Sequence, residues 1–336
     1  MTLQATPFKQ ASRATLDGLY ALVREDLGRV DQLILSRVAS DVPLIGTIAR
    51  HIVASGGKRI RPALTLISAK LCGYQGAQHI ALATAIEFIH TATLLHDDVV
   101  DESKLRRGLA TANEMFGNKA SVLVGDFLLS QAFQLMVSDG SLRVLQILSD
   151  ASAIIAKGEV MQLMTAGEPQ TTIDDYLKVI HAKTAELFAA ACELGAVAGG
   201  HSGHDTKLRS FGTHIGLAFQ LVDDVLDYIA DEQTLGKTIG DDFREGKVTL
   251  PVILAYQRGD ENERAFWQRT VGDYDQQPDD LSEAIRLMQR HNAIGQSVAM
   301  AEHYCDLARQ DLAAFADTPA RQAMLDIVDF CAQRMY

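Results

Sequence analysis

The sequence predicts an all-α protein, and its composition is the first observation that favours this fold class. Hydrophobic residues make up 47% of the 336 residues but aromatic residues only 6%, and alanine and leucine are abundant. Closely packed helices suit this composition better than sheets, which favour aromatic and β-branched residues. The second observation is that all seven prolines fall where a helix can start or stop. The long proline-free stretches between them favour long helices, and no alternating strand pattern competes with the helical one.

Apolar periodicity and boundary residues place the individual helices along the chain. Pro62, Pro251 and Pro319 lie where a first helical turn tolerates proline. The most polar interruption, residues 231–248, is predicted to be a long loop, and no low-complexity linker divides the chain. We therefore predict one large helical domain over residues 1–336. The predicted helices are 13–38, 43–54, 62–72, 77–102, 118–137, 141–165, 172–199, 205–231, 250–258, 279–290 and 296–316, with a last one from 319.

Charge and polarity limit the possible partners and location of the chain. The net charge of −12 argues against a nucleic-acid partner, because binding to a phosphate backbone needs a broad basic face. The four cysteines stand far apart with no CxxC pair, which favours reduced thiols over a zinc site or disulfides. The first twenty residues lack the apolar core of a signal peptide, and the longest weakly polar stretch, 187–200, is too short to span a bilayer. We expect a cytoplasmic protein with no transmembrane segment.

Two acidic clusters share the pattern DDxxD, in HDDVVDE at 96–102 and VDDVLDY at 222–228. The helical repeat places the carboxylates of each cluster on or beside one face. Both clusters come late in apolar helices, where the helix dipole disfavours carboxylates and a structural helix end would prefer Lys or Arg. The carboxylates are those of Asp97, Asp98 and Asp101 in the first cluster and of Asp223, Asp224 and Asp227 in the second.

Magnesium is the metal ion that such carboxylate clusters favour. It takes hard oxygen ligands and usually binds through a few carboxylates while sharing the phosphate oxygens of a substrate. Two clusters that face each other would hold one diphosphate from both sides. Two other acidic pairs, at 174–175 and 279–280, follow threonines or a proline and are assigned to helix starts instead.

Cationic residues that suit a diphosphate stand near these clusters. The stretch GGKRIRP at 56–62 places Lys58, Arg59 and Arg61 at the start of a helix, where backbone N–H groups and cationic side chains favour an anion. Arg106 and Arg107 follow the first cluster, and each guanidinium is able to bind phosphate oxygens bidentately. An ordinary basic surface turn would explain either group on its own.

Further polar residues share a helix face or a loop with the clusters. His90 lies seven positions before Asp97 and so on the same face, although a histidine in an apolar helix is usually a core residue. Gln220 shares the face of the second cluster, while Lys183 and Thr184 lie within a helix. Two lysines flank GDDFREG and would close over a bound phosphate; these are Lys237 and Lys247.

As a set, these residues resemble the trans-isoprenyl diphosphate synthases, specifically the long-chain polyprenyl diphosphate synthases. The matching stretches are GGKRIRP, EFIHTATLLHDDVVDESKLRRG, GDFLLSQAF, KTAEL, FQLVDDVLDY and GKTIGDDFREGKVTLP, within about residues 45–260. The resemblance implies an all-α bundle around a deep central cavity, usually as a homodimer. It also implies Mg²⁺, three ions per active site, with isopentenyl diphosphate and an allylic diphosphate such as farnesyl diphosphate as substrates.

The resemblance also implies a role for each site residue. The six clustered aspartates would hold the metal. The isopentenyl diphosphate site would be formed by Lys58, Arg61, His90 and Arg107. Groups around the allylic diphosphate would be Arg106, Lys183, Thr184, Gln220, Lys237 and Lys247. The residues expected to act on the reaction itself are Asp97, Asp98, Asp101, Arg106, Lys183, Asp223 and Asp224.

The resemblance implies that the residues just upstream of the first cluster determine the product length. In the family, bulky side chains there block the growing chain. Ala92 and Thr93 stand there, and both are smaller than an aromatic residue. The short DDxxD of the first cluster also favours the long-chain branch. The resemblance therefore implies a product of roughly C40 to C50, for the side chain of a quinone.

Three other functions are weighed against this one. A shorter-chain farnesyl or geranylgeranyl synthase would keep the chemistry and change only the product. A terpene cyclase also uses DDxxD, but its second cluster is of a different type and it does not need the second diphosphate site at GGKRIRP. A noncatalytic subunit of a heteromeric synthase typically lacks one or both acidic motifs, and this chain has both.

Overall fold

The computed structural model describes residues 8–54, 57–106, 108–200, 203–229 and 239–334. Its first helices are α1 (Phe8–Arg37), α2 (Pro43–Ala54), α3 (Ile60–Leu71), α4 (Gln78–Val100), α5 (Ala112–Phe116), α6 (Asn118–Asp139), α7 (Leu142–Thr165) and α8 (Ile173–Ile180). The later helices are α9 (Glu186–Ala198), α10 (His204–Ile229), α11 (Asp241–Arg244), α12 (Leu250–Arg258), α13 (Glu261–Trp267), α14 (Asp280–Arg290), α15 (Ala293–Asp311) and α16 (Pro319–Gln333). Two π-helical turns, His181–Ala185 and Gln268–Gly272, and a 3₁₀ turn, Leu312–Ala314, extend α8, α13 and α15.

The long helices follow the predicted ones closely, and the short elements are the additions. Strands β1 (Leu105–Arg106) and β2 (Leu109–Ala110) form a small antiparallel hairpin in which Leu105 is opposite Ala110. Together with α5, α11 and α13, this hairpin was not predicted, because elements this short carry too few apolar repeats to define a period. The capping box of Asp260 and Glu263 at the start of α13 was a local signal for that helix that the prediction did not use.

One predicted helix, 172–199, is interrupted by the π-helical turn His181–Ala185. The turn lies between α7 and α10, and a glycine on each of these helices permits the close approach. A Cβ atom on Gly158 of α7 would lie 2.8 Å from the Lys183 nitrogen, and one on Gly216 of α10 would lie 2.6 Å from the Ala185 Cα. Both distances are too short for any residue but glycine, so the backbone of this turn is held tightly from both sides.

Helix α9 is the centre of the bundle. It packs against α3, α4, α7 and α10, and every residue from Glu186 to Ala196 is buried. Helix α10 contributes to both hydrophobic clusters of the core. Phe211, in its first half, belongs to the cluster formed with α1, α3, α4, α6 and α9. Leu221, in its second half, belongs to the cluster that contains Trp267. The C-terminal ends of α4 and α10, which carry the acidic clusters, are thereby fixed on a rigid framework.

Helix α6 differs from the other long helices in its apolar surface. By length and composition alone it could cross a membrane, with 44% of its most apolar window buried, and it is the single such helix in the described ranges. It is longer than the stretch 187–200 that the sequence singled out. A core helix passes the same test, so the absence of a transmembrane segment stays a prediction.

Candidate active site

The first acidic cluster lies at the C-terminal end of α4, and each of its first two carboxylates faces a cation. The Oδ2 atom of Asp97 lies 3.6 Å from Nζ of Lys183, which also donates to Glu159 on α7 at 2.7 Å. Asp98 is buried and accepts from Nε and Nη2 of Arg106 at 2.9 and 2.7 Å. Burial raises the pKa of Asp97 and outweighs the opposing effect of Lys183. The negative charge of the buried Asp97 is therefore energetically unfavourable, and the nearby cations offset this only in part.

Lys247 connects the first cluster with the second. Its Nζ atom lies 3.7 Å from Oδ2 of Asp101 and 3.8 Å from Oδ1 of Asp242. Asp242 is the second residue of α11. The backbone N–H of Asp242 in turn donates to Oδ2 of Asp227 at 3.1 Å. Although burial works against its charge, the surrounding carboxylates hold the pKa of Lys247 above its ordinary value. The ends of α4 and α10 thus meet at the 240–247 segment.

A hydrogen-bonded chain leads from the π-helical turn to the second cluster. The Thr184 hydroxyl donates to Oε1 of Gln220 at 2.8 Å, and Nε2 of Gln220 donates to Oδ1 of Asp224 at 2.7 Å. The other oxygen of Asp224 accepts from the Tyr176 hydroxyl at 2.5 Å. Burial, followed by the charge of Asp242, raises the pKa of Asp224 to about 8. Both oxygens of Asp224 are therefore already engaged by neutral donors.

Asp223, the neighbouring carboxylate, is more open. It pairs with Arg334 at the end of α16, with Nη2 and Oδ1 separated by 2.8 Å. The Arg334 guanidinium also stacks over Phe219 at 5.1 Å and Phe330 at 5.9 Å. Lys58 lies over the same Phe330 ring at 4.8 Å. The end of α16 consequently lies between GGKRIRP and the second cluster.

The GGKRIRP segment presents two of its cations toward α4 and α9. Arg61 contacts His90 through Nη1 and Nε2, 3.2 Å apart, and stacks over Phe188 of α9 at 4.5 Å. Arg59, the N-cap of α3, has a left-handed backbone with φ of 48° and pairs with the buried Glu87 of α4. The alignment of His90 with the site, predicted from helical spacing, is therefore accompanied by a contact to the predicted Arg61.

Two predicted site residues, Arg107 and Lys237, lie outside the described residues. The two chain-length residues are described. Ala92 is buried in the main hydrophobic cluster, and the hydroxyl of the half-buried Thr93 donates to the backbone oxygen of His90 at 2.8 Å.

Three residues that contact the clusters were missed by the sequence reasoning. These are Tyr176, Asp242 and Arg334. Tyr176 and Arg334 carry no local motif, and only the tertiary fold brings them to the aspartates. Asp242 lies within GDDFREG, and its position between two predicted lysines was a signal that could have identified it.

The carboxylates fit a magnesium ion by the chemistry of their donor set. Asp97, Asp101 and Asp223 offer hard oxygen ligands, with side chains 14%, 24% and 40% exposed. Within the described ranges, no three His, Cys, Asp or Glu side chains converge on one point. Magnesium commonly binds through one or two carboxylates and completes its shell with substrate phosphates and water, so this donor set is compatible with it.

Comparison with known proteins agrees with this geometry. The family model described as polyprenyl synthetase matches residues 42–288. The octaprenyl diphosphate synthase of Escherichia coli is 44% identical over 320 residues, which is 95% of this chain and 99% of that protein. A solved decaprenyl diphosphate synthase from Rhodobacter capsulatus has a TM-score of 0.92 and 48% identity, covering 96% of this chain and 99% of that one. A polyprenyl synthase from Caulobacter crescentus, complexed with calcium and isoprenyl diphosphate, has a TM-score of 0.92 and 46% identity, covering 96% and 98%.

These comparisons confirm the predicted all-α fold class and the predicted enzyme class, a prenyltransferase. They also support the prediction of a long-chain trans-polyprenyl diphosphate synthase, because these relatives include octaprenyl and decaprenyl diphosphate synthases that match over nearly their full length. The chain belongs to the polyprenyl synthetase family.

Proposed function

We propose that the chain adds isopentenyl diphosphate units head to tail to an allylic diphosphate and stops at roughly C40 to C50. One observation carries this proposal: the acidic clusters of α4 and α10 meet through Lys247 and Asp242. Lys247 lies among three carboxylates, those of Asp101, Asp242 and Glu245, and such an arrangement is suited to a ligand that carries several negative charges together with its metal ions.

The metal is proposed to be Mg²⁺, held by Asp97, Asp101 and Asp223. When bound, it supplies positive charge to the diphosphate oxygens as the allylic C–O bond breaks. Asp98, Asp224 and Asp227 are proposed to support this set. Both oxygens of Asp224 already accept, from Tyr176 and Gln220, while Oδ1 of Asp98 accepts from Arg106 and Oδ2 of Asp227 accepts from the Asp242 backbone.

The cations of the chain bind and orient the two substrates. Lys183 and Lys247 lie beside the first cluster and would donate to the allylic diphosphate, stabilising the charge that develops as it leaves. Lys58 and Arg61, together with His90, would hold isopentenyl diphosphate on the other side. The double bond of isopentenyl diphosphate then attacks the allylic carbon, and the adduct loses a proton to give the lengthened allylic diphosphate. The leaving diphosphate is the proposed base for this proton.

Water must be excluded because it would capture an allylic cation. Helix α9 supplies apolar surface near the site, with Phe188 buried beneath the Arg61 guanidinium. Ala92 of α4 is only 2% exposed, and its side chain is small and apolar. Small side chains at this level are proposed to let the growing chain pass where an aromatic residue would block it. The long product and its use in a quinone side chain are proposed on this basis and on the names of the relatives.

The chain is further proposed to act as a cytoplasmic homodimer built from single-domain subunits. The observation that favours the dimer is the outer face of α6, where Leu123 and Val137 are each 67% exposed and Phe133 is 41% exposed. Exposed apolar side chains repeated along one helix face are typical of a surface that a second subunit covers. Sedimentation analysis of L123E/V137E beside the native chain would test it; a native monomer would contradict the dimer.

The function itself is tested by incubating the purified chain with farnesyl diphosphate, labelled isopentenyl diphosphate and Mg²⁺, with and without a chelator. We expect products of roughly C40 to C50 that disappear with the chelator. A product that stops at roughly C15 or C20 would contradict the chain length and favour the shorter-chain alternative. Absence of any condensation would favour the terpene cyclase or the noncatalytic subunit.

A further inference from the structure

Glu159 of α7 lies opposite the first acidic cluster and belongs to neither DDxxD motif. Its Oε2 atom accepts from Nζ of Lys183 at 2.7 Å, and the same Nζ lies 3.6 Å from Oδ2 of Asp97. All three side chains are less than a third exposed, at 28%, 22% and 14%. Lys183 thus stands between two carboxylates and is hydrogen-bonded at ordinary length to the one on α7.

Close backbone packing next to Glu159 fixes its position beside Lys183. Gly158, the preceding residue, packs directly on the π-helical turn, where an added Cβ would lie 2.8 Å from both the Ala182 Cβ and the Lys183 nitrogen. The π-helical turn itself inserts one extra residue per turn and changes the direction of Lys183 relative to a regular helix. The Glu159–Lys183 pair is therefore set by close backbone packing and not only by two flexible side chains.

Placing a carboxylate here has an electrostatic cost. Burial and then the charge of Asp97 raise the pKa of Glu159, because like charges are brought together in a poorly solvated region. A chain that needed only a filled space at position 159 would be more stable with a neutral side chain. A neutral group of the same shape would avoid this cost but would attract the Lys183 ammonium less strongly.

A lysine ammonium carries three N–H donors and no acceptor. One donor is engaged by Glu159, and Asp97 attracts the same ammonium from a longer distance. Without Glu159, Lys183 would be free to move onto Asp97, its nearest remaining carboxylate. That movement would place a fixed positive charge on an oxygen that the metal is proposed to use.

We propose that Glu159 is a positioning residue that keeps the Lys183 ammonium 3.6 Å from Oδ2 of Asp97 and so prevents a closer contact. In this position Lys183 keeps a donor for the allylic diphosphate, and Asp97 keeps its oxygens for the metal. The inference rests on the proposed function, since it assigns Lys183 to the allylic diphosphate and Asp97 to Mg²⁺.

The test is a double-mutant cycle of E159Q and K183Q, read by calorimetric binding of an unreactive farnesyl thiodiphosphate in the presence of Mg²⁺. We expect E159Q to weaken binding about tenfold, since the glutamine oxygen still accepts from the lysine but no longer attracts it with a full negative charge. It should also raise the Mg²⁺ concentration needed for half-maximal binding. The double variant should bind no more weakly than K183Q alone, because Glu159 acts through Lys183.

The matched control is D150N, which removes the same charge from an exposed position on the same helix. It should leave both quantities unchanged. E159D, which keeps the charge on a shorter stem, should recover part of the affinity, and thermal unfolding shows that each variant is folded.

Two results would overturn the inference alone: independent, additive losses in E159Q and K183Q, or an unchanged Mg²⁺ requirement in E159Q. A loss of Mg²⁺ binding in E159Q that persists in the K183Q background would make Glu159 a metal ligand instead. Failure of the native chain to bind the analogue would overturn the proposed function, and this inference with it.

Discussion

The Arg334 guanidinium lies 2.8 Å from the Asp223 carboxylate, so the end of the last helix contacts the second acidic cluster. The arginine is 18% exposed and the aspartate 40%, and two aromatic rings, Phe219 and Phe330, flank the guanidinium. Asp223 is one of the carboxylates proposed to hold the metal. A cation that already occupies this carboxylate must compete with a metal ion for it.

Replacing Arg334 by glutamine should therefore strengthen metal binding to the free protein. Asp223 is partly solvated, so we expect a change of only about threefold. Mn²⁺ binding followed by electron paramagnetic resonance measures the effect without substrate. R309Q is the matched control, because Arg309 pairs at 2.8 Å with Asp329 on the outer side of α16. Equal effects of the two substitutions, or weaker binding in R334Q, would contradict competition at Asp223.

Replacing Asp97 by asparagine should slow condensation while making the metal-free protein more stable. A lost metal-binding carboxylate costs several kcal/mol of barrier, or on the order of a thousand-fold in rate. Stability should rise because burial raises the pKa of Asp97, which shows that its charge is unfavourable there. Rates of isopentenyl diphosphate incorporation and thermal unfolding with a chelator measure both effects. D150N, at an exposed position in the middle of α7, should change neither.

Asp224 should make the metal-free protein less stable as pH rises. Its pKa is raised from 3.8 to about 8 by burial and by Asp242, so the folded chain binds more protons than the unfolded chain between these values. The stabilising contribution is complete below the unfolded pKa and is lost as pH rises through the folded pKa. Urea unfolding with a chelator should show the unfolding free energy falling across this window. The decline should be smaller in D224N; identical slopes would contradict the assignment.

Removing the Tyr176 hydroxyl should shift the pH dependence of the stability of the metal-free protein. The hydroxyl donates to Asp224 at 2.5 Å, and this bond favours the ionised carboxylate. Y176F should raise the pKa of Asp224 further, extend to higher pH the window over which the metal-free protein loses stability, and cost about 1–3 kcal/mol of stability. Y256F removes a hydroxyl from a partly buried tyrosine of α12 and is the control. Lower stability with an unmoved pH window, measured by urea unfolding with a chelator, would mean that Tyr176 does not act on the ionisation of Asp224.

The parts of this fold and site that are encoded locally could be predicted from the sequence. The helix of Asp97 was predicted as 77–102 and is found at Gln78–Val100, because apolar periodicity and end residues act over neighbouring positions. Asp97, Asp98 and Asp101 were recognised for the same reason, since their spacing within one helix is visible in the chain itself.

Contacts made only by the folded chain were not predictable in this way. Tyr176, Glu159 and Arg334 are single residues without a motif, and each reaches an aspartate or lysine on another helix. The π-helical turn at His181–Ala185 was also missed, because it depends on the close approach of α7 and α10 and not on local propensity. Lys183 was selected correctly as a candidate, but its position between two carboxylates follows from that turn.

Enlarging the residues beneath the first cluster should shorten the product. Ala92 is buried with 2% exposure, so phenylalanine there adds bulk to a packed region and costs about 1–3 kcal/mol. Thr93 is only half-buried, so T93F adds the ring with less strain, at the loss of the hydrogen bond from the Thr93 hydroxyl to the His90 backbone. If the growing chain passes this level of α4, both variants should stop at roughly C15 to C20 while keeping the first condensation.

Chromatography of the labelled products measures their length, and A156F, on the exposed side of α7, should still give the native length. Native-length products from both A92F and T93F would mean that the chain grows along a different path, because a side chain of that size cannot share the space with a prenyl chain.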